Sequence, residues 1–179
     1  MLELLRPKLY VASVPEIDLE ELKARRLRGL ILDVDNTLVE RNRSHLSPQV
    51  EAWVRRAKEE GFQLCIASNS IGSQRIAALA ARLGIPYITW AAKPRRRPFR
   101  LGMAMMGTLP QETAVVGDQL FTDILGGNRL GLFTILVQPL TSHDFLPTRW
   151  SRCLEQWLLR RFFPQGPQRR RAQGEEPCP

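Results

Sequence analysis

Short apolar runs alternate along the chain with longer segments in which apolar residues recur every three or four positions. The runs are short and are bounded by Gly, Pro, Ser, Asn or Asp, as buried strands are. They predict five strands, at residues 30–32, 62–67, 86–90, 113–116 and 132–137. The first 17 residues carry Pro7 and Pro15 on either side of Leu9-Tyr10-Val11, and this pattern predicts an extended lead-in.

The segments between the strands carry helix-start and helix-stop signals. Asp18 is a candidate N-cap, with an acidic residue three positions later, and Ser47-Pro48 is a second N-cap followed by a first-turn proline. Gly61 and Gly84 end two of the periodic segments. Helices are therefore predicted at residues 18–27, 47–60, 71–83 and 98–106, with another beginning near residue 121 or 123. Alternating strands and helices indicate a doubly wound, Rossmann-like α/β fold with a mainly parallel five-stranded sheet.

Composition places the chain among soluble globular proteins with a basic surface. Its 179 residues suit one domain, no apolar run approaches the ~18 residues of a membrane span, and the first residues lack a signal-peptide pattern. Three scattered cysteines without metal-ligand spacing fit a reducing compartment, so we expect a cytoplasmic protein. The net charge of +8 favours anionic partners such as nucleic acid, acidic lipid or phosphate, although arginine richness from genome composition would give the same charge.

Two aspartates follow the first predicted strand. Side chains alternate along an extended chain, so Asp33 and Asp35 can point the same way at the end of the run 30–32. Two carboxylates with no basic residue between them form a negative notch, and hard oxygen ligands suit Mg²⁺. Taken alone, the same pattern also fits an acidic turn after a strand.

Polar residues also follow the next three strands. Ser68-Asn69 follows the second strand, Lys93 follows the third, and Asp118 with Asp123 follows the fourth. Taken singly, these residue types are commonly helix caps, surface charges or turn formers. However, the carboxyl ends of parallel strands meet at one edge of a sheet, which is where α/β proteins bind ligands. The sequence therefore predicts that acids, a hydroxyl and a cation converge at this edge.

These four stretches resemble the four motifs of the haloacid dehalogenase superfamily of phosphotransferases. Leu32 to Val39 resembles the first motif, Ser68-Asn69 the second, Lys93-Pro94 the third and Gly117 to Asp123 the fourth. Within that superfamily the chain is similar to the capless class IIIA phosphatases of the YqeG type, whose relatives include mitochondrial phosphatidylglycerophosphate phosphatases. The resemblance implies a hydrolase of phosphoric monoesters.

The resemblance also implies catalytic roles. Asp33 would be the nucleophile that forms an aspartyl-phosphate intermediate. Asp35 would be the general acid and then the general base, with a pKa that nearby carboxylates raise. The residues that would bind the phosphoryl group are Ser68, Asn69 and Lys93.

The cofactor that the resemblance implies is Mg²⁺. It would be held by Asp33, by Asp118 and by the backbone carbonyl of Asp35. Asp123 would act just outside the ligand set or orient Lys93.

Short connections leave no room for a cap domain. Residues 39–46 separate the first motif from its helix, and residues 70–92 hold one predicted helix and one strand. An open notch suits a bulky or surface-presented phosphate. The resemblance implies phosphatidylglycerophosphate as the substrate, with another phosphorylated metabolite or macromolecule as an alternative. A non-catalytic RNA- or ribosome-associated basic module is the alternative of a different class.

The predicted organisation has four parts: the lead-in and first helix (1–27), the phosphatase core (28–142), an amphipathic basic helix (143–164) and a disordered tail (165–179). The third part carries aromatic and aliphatic residues at helical spacing, with arginines on another face. Such a helix either packs its apolar stripe on the core or rests on an acidic membrane surface through residues 149–163. The second arrangement would place the protein peripherally at the inner membrane surface.

Overall fold

A parallel six-stranded sheet forms the centre of the computed structural model, which describes residues 2–141, 155 and 157–168. The strand order is β1-β6-β5-β2-β3-β4, and every pairing is parallel. The strands are β1 (Leu9–Val11), β2 (Gly29–Leu32), β3 (Gln63–Ala67), β4 (Tyr87–Ile88), β5 (Thr113–Gly117) and β6 (Phe133–Val137). The predicted α/β fold with a parallel sheet is confirmed.

The helices begin close to the predicted starts because the predicted caps are in place. The Asp18 side chain accepts a hydrogen bond from the Glu20 backbone N–H, and Ser47 Oγ accepts one from the Val50 N–H. The helices are α1 (Leu19–Ala24), α2 (Pro48–Glu59), α3 (Ser73–Leu83), α4 (Arg96–Met106) and α5 (Leu125–Asn128). Three 3₁₀ turns (Leu2–Leu5, Val14–Glu16, Pro110–Glu112) and a π-helical turn (Leu120–Ile124) complete the regular elements, together with helical residues 157–162.

The predicted strand count of five is wrong, because part of the expected lead-in is the edge strand β1. Leu9 pairs with Ile135 and Val11 with Val137 on β6. A three-residue strand carries too little pattern to be recognised alone, and its partner lies more than 120 residues away. The third predicted strand also shrinks to Tyr87–Ile88.

Both faces of the sheet are buried, as the continuous apolar strands require. Leu30 and Leu32 point to one face, where α2 and α3 contribute to a large apolar cluster. Ile31 points to the other face, where α4 supplies Phe99 and Met103. This alternation from one central strand explains why the helices divide between the two faces.

The described part of the C-terminal segment packs on the core. Leu158 is buried beside Tyr10 and Leu136, whereas Trp157 of the predicted apolar stripe is 58% exposed. The Gln168 N–H donates to the Tyr10 carbonyl at 2.7 Å, and Gln168 forms an isolated parallel bridge with Val11, so Gln168 lies beside β1. Residues 143–154 and 156 of the predicted helix and residues 169–179 of the predicted tail lie outside the described residues.

Among the described residues, no helix combines the length and apolar character that crossing a bilayer requires.

Candidate active site

The register of the three central strands brings the predicted site residues together. Leu32 on β2 lies opposite Val116 on β5 and Ile66 on β3. Asp33, Asp118 and Ser68 follow these strands and therefore lie at one edge of the sheet. Asp33 and Ser68 border a cleft of about 420 Å³, and Asp118 precedes Gln119, which also borders it. The cleft is lined by Asp33, Asp35, Asn36, Arg41, Asn42, Ser68, Asn69, Ser70, Ile71, Gly72, Arg75 and Gln119.

Lys93 lies between two buried carboxylates. Its Nζ donates to Asp33 Oδ1 at 2.5 Å and to Asp123 Oδ1 at 2.6 Å, and all three side chains are at least nine-tenths buried. Burial alone lowers the pKa of the Lys93 ammonium, but the carboxylates of Asp123 and Asp33 outweigh it, so the pKa is raised. Lys93 is therefore a fixed positive charge beside Asp33.

Asp33 is the carboxyl group whose pKa the site raises. Burial is the largest cause, and the nearby Asp123 and Asp35 charges act in the same direction, while Lys93 opposes them. The resulting pKa is about 6. Thr37 Oγ1 also donates to Asp33 Oδ2 at 3.3 Å. The carboxylates of the site therefore carry more negative charge than the Lys93 ammonium compensates.

A divalent cation fits the carboxylates that meet here. Asp33, Asp118 and Asp123 are buried, and each offers an oxygen within 4.8 Å of the others. Three carboxylates face one ammonium, and hard oxygen donors of this kind suit Mg²⁺. The predicted ligands were Asp33, Asp118 and the Asp35 carbonyl. In the structure, the third carboxylate close to Asp33 and Asp118 is that of Asp123.

Asp123 reaches this position because Gly117 has no side chain. The π-helical turn after β5 directs the Asp123 carboxylate back over the end of the strand, where its Oδ2 accepts from the Thr122 hydroxyl at 3.2 Å. A Cβ at Gly117 would overlap the Asp123 carboxylate. The glycine of the fourth motif thus has a packing function.

The surroundings of Asp35 differ from the prediction. The sequence led us to expect carboxylates around this side chain, but Arg75 Nη2 donates to both Asp35 oxygens at 2.8 Å. The Asn42 N–H donates to Asp35 Oδ1 at 2.9 Å. Sequence reasoning missed Arg75, and the signal that could have indicated it is a basic residue in the first turn of the helix after the second motif.

Ser68 and Asn69 organise the backbone of the site. Ser68 Oγ accepts from the Ser70 N–H at 3.1 Å. The Asn69 amide forms a reciprocal pair with the Lys93 backbone, accepting from its N–H at 2.8 Å and donating to its carbonyl at 3.2 Å. Asn69 therefore positions the Lys93 segment. The helix expected directly after these residues begins later, at Ser73, because Ser70 to Gly72 form a loop.

Comparison with known proteins identifies the family. The family model for haloacid dehalogenase-like hydrolases matches residues 41–131. The chain is 40% identical over 153 residues to the probable phosphatase YqeG of Bacillus subtilis, covering 86% of this chain and 88% of that one. The chain belongs to the haloacid dehalogenase-like hydrolases. It is a phosphatase of the class that hydrolyses phosphoric monoesters.

A second related sequence and a solved structure are also similar to this chain. The chain is 31% identical over 169 residues to phosphatidylglycerophosphate phosphatase 1 of Arabidopsis thaliana, covering 89% of this chain but only 49% of that protein. An uncharacterized protein from Listeria monocytogenes superposes with a TM-score of 0.54 at 20% identity, covering 73% of this chain and 99% of that one. At that identity the superposition shows the fold alone.

Proposed function

We propose that this protein is a Mg²⁺-dependent phosphatase that acts through an aspartyl-phosphate on Asp33. The observation that carries the proposal is the buried Lys93, which bonds to Asp33 and Asp123 beside Asp118 at the end of an open cleft. A buried ammonium next to a nucleophilic carboxylate offsets the repulsion between that carboxylate and an incoming phosphate.

Each residue of the site has its own part in the reaction. An Asp33 oxygen attacks phosphorus and forms the new P–O bond, while the bond to the leaving alcohol oxygen breaks. Asp35 gives a proton to that oxygen, and later accepts a proton from the water that cleaves the aspartyl-phosphate. Lys93 bonds to a phosphoryl oxygen, and the Ser68 hydroxyl lies at the same strand edge. Asp33, Asp118 and the Asp35 carbonyl, with Asp123 close by, would hold Mg²⁺, which would supply positive charge that stabilises the phosphoryl oxygens.

We propose phosphatidylglycerophosphate as the substrate. The Arabidopsis relative bears that substrate in its name. The connections at residues 39–46 and 70–92 of the described chain hold no inserted domain over the cleft, so a phosphate at a lipid surface can reach Asp33. The exposed side chains of Ile71, beside the cleft, and of Trp157, Arg160 and Arg161 would favour peripheral contact with an acidic membrane surface.

The test measures phosphate release by the wild type and by Asp33→Asn, with Mg²⁺ and with EDTA. The substrates are an aryl phosphate and phosphatidylglycerophosphate in detergent micelles. Asp18→Asn is the matched control, because Asn also caps a helix and Asp18 lies outside the cleft. We expect turnover by the wild type and Asp18→Asn only with Mg²⁺, no turnover by Asp33→Asn, and preference for the lipid.

Two results would contradict this proposal. Turnover that survives Asp33→Asn would exclude Asp33 as the nucleophile. Absence of turnover in every wild-type reaction, together with RNA binding that falls steeply with salt, would favour the basic binding module instead.

A further inference from the structure

Arg75 lies in the same cleft as the proposed catalytic carboxylates and is held by four contacts. Its Nη2 donates to Asp35 Oδ1 and Oδ2 at 2.8 Å each and to Ser70 Oγ at 3.1 Å, and its Nη1 donates to the Arg43 carbonyl at 2.8 Å. The Arg75 side chain is only 15% exposed. These contacts hold the Arg75 side chain in place in the cleft, whereas a surface arginine would extend into solvent.

The contacts on Asp35 conflict with its proposed role. An acid that gives a proton to a leaving-group oxygen needs one of its own oxygens directed at that atom within hydrogen-bond distance. In the described structure both Asp35 oxygens face Arg75, and Oδ1 also accepts from the Asn42 N–H. A productive complex therefore requires Arg75 to move away from Asp35.

A second anion on the substrate can cause this movement. A guanidinium group carries a planar fork of N–H donors that binds carboxylates and phosphates alike. The Arg75 Nη2 that bonds to both Asp35 oxygens can therefore bond to a substrate phosphate instead and keep its charge-assisted bonds. A neutral hydroxyl offers only weaker bonds and cannot replace two bonds to a carboxylate. Arg41 lines the same cleft and adds positive charge there.

We propose that Arg75, with Arg41 and Ser70 beside it, forms a subsite for a second anionic group carried by the substrate next to its phosphomonoester. Binding of that group draws Arg75 from Asp35 and directs Asp35 to the leaving oxygen. The inference rests on the proposed function and assigns to Arg75 the selection of phosphomonoesters that carry a neighbouring anion, such as a phosphodiester. Arg75 is thus a specificity-determining and positioning residue.

The first experiment compares two substrates whose phosphomonoester is attached to a glycerol unit. One is the water-soluble headgroup glycerophosphoglycerophosphate, which carries a phosphodiester, and the other is glycerol 3-phosphate, which does not. We expect the wild type to favour the first in kcat/KM by roughly 10- to 100-fold, and Arg75→Gln to remove this preference. Arg75→Lys restores part of it, since lysine keeps the charge but lacks the fork. Glycerate 3-phosphate, with a carboxylate in place of the diester, shows which anion the subsite prefers.

Arg82→Gln is the matched control. Arg82 lies on the same helix, pairs with Glu51 at 2.6 Å on the surface and does not line the cleft. We expect it to keep the wild-type substrate preference. If Arg75→Gln lowers kcat/KM for both substrates by the same factor, Arg75 only holds Asp35 in place and the subsite is refuted.

The second experiment measures binding without turnover. In the Asp33→Asn protein, isothermal titration calorimetry follows binding of glycerophosphoglycerol, which has the diester but no monoester. We expect the Asp33→Asn protein to bind glycerophosphoglycerol, the added Arg75→Gln change to abolish this binding, and the added Arg82→Gln change to leave it intact. Equal binding by the two variants would overturn the subsite. Arg75-dependent binding combined with a wild type that hydrolyses no phosphomonoester would refute the proposed function while supporting the subsite.

Discussion

Lys93→Met removes the cation from a buried cluster of carboxylates and leaves a side chain of similar length. Lys93 Nζ bonds to Asp33 and Asp123 at 2.5 and 2.6 Å, and Asp118 offers an oxygen within 4.8 Å of theirs. Without the ammonium, these carboxylates repel one another in an interior with little water. We therefore expect a large loss of folding free energy.

The size of this loss can be worked out from the geometry. Two unit charges 4.8 Å apart repel by about 3.5 kcal/mol at an effective dielectric constant of ~20. Removing one partner of a buried ion pair typically costs about 3–5 kcal/mol. We expect Lys93→Met to lower the free energy of unfolding by about 3–5 kcal/mol at pH 8 in EDTA, measured by urea denaturation.

The loss depends on pH in a defined direction. Burial, with help from Asp123, raises the pKa of Asp33 from 3.8 to about 6, so the folded metal-free chain binds this proton more tightly than the unfolded chain. The contribution of Asp33 to stability is therefore fully present below pH 3.8 and is lost as the pH rises through about 6. Removing Lys93, which opposes this pKa rise, strengthens the trend. The deficit of Lys93→Met is thus smaller at pH 5 than at pH 8.

The control is Lys58→Met, because Lys58 Nζ bonds to the backbone carbonyls of Leu83 and Gly84 and not to carboxylates. It should cost only about 1 kcal/mol, with little dependence on pH over this range. Saturating Mg²⁺ should restore part of the stability of Lys93→Met, since a cation that binds only the folded chain stabilises it. Equal stability of Lys93→Met and wild type at pH 8 in EDTA would refute the reasoning.

Two other predictions concern the site and the core. Gly117→Ala should displace Asp123 from Lys93, because the alanine Cβ would overlap the Asp123 carboxylate. We expect turnover to fall at least tenfold while circular dichroism shows a folded protein. Unchanged turnover would contradict the packing argument. Cys65 is buried, and burial raises its thiol pKa to about 11. In a variant whose other two cysteines are serine, Ellman's reagent should therefore react only after denaturation, and rapid reaction of the native protein would show that this part of the core opens.

The sequence alone predicted the central strands and the polar residues at their ends. The apolar runs of β2, β3, β5 and β6 are buried on both faces, so they are continuous in the sequence and recognisable without neighbours. Turn-forming and polar residues mark where each strand ends. Because parallel strands end at the same edge, the convergence of Asp33, Ser68 and Asp118 could be predicted from local patterns.

Only the tertiary structure decided which side chains meet within that edge. Asp33 and Lys93 are 60 residues apart, and Asp35 and Arg75 are 40 apart. Their contacts depend on loop paths that no periodicity encodes. The same holds for β1, which is too short to recognise before its pairing with β6 is known. The local hydrophobic pattern determines the strands and where they end. The partner of each charged group depends instead on distances in three dimensions, and these distances show that Asp35 is bonded to Arg75.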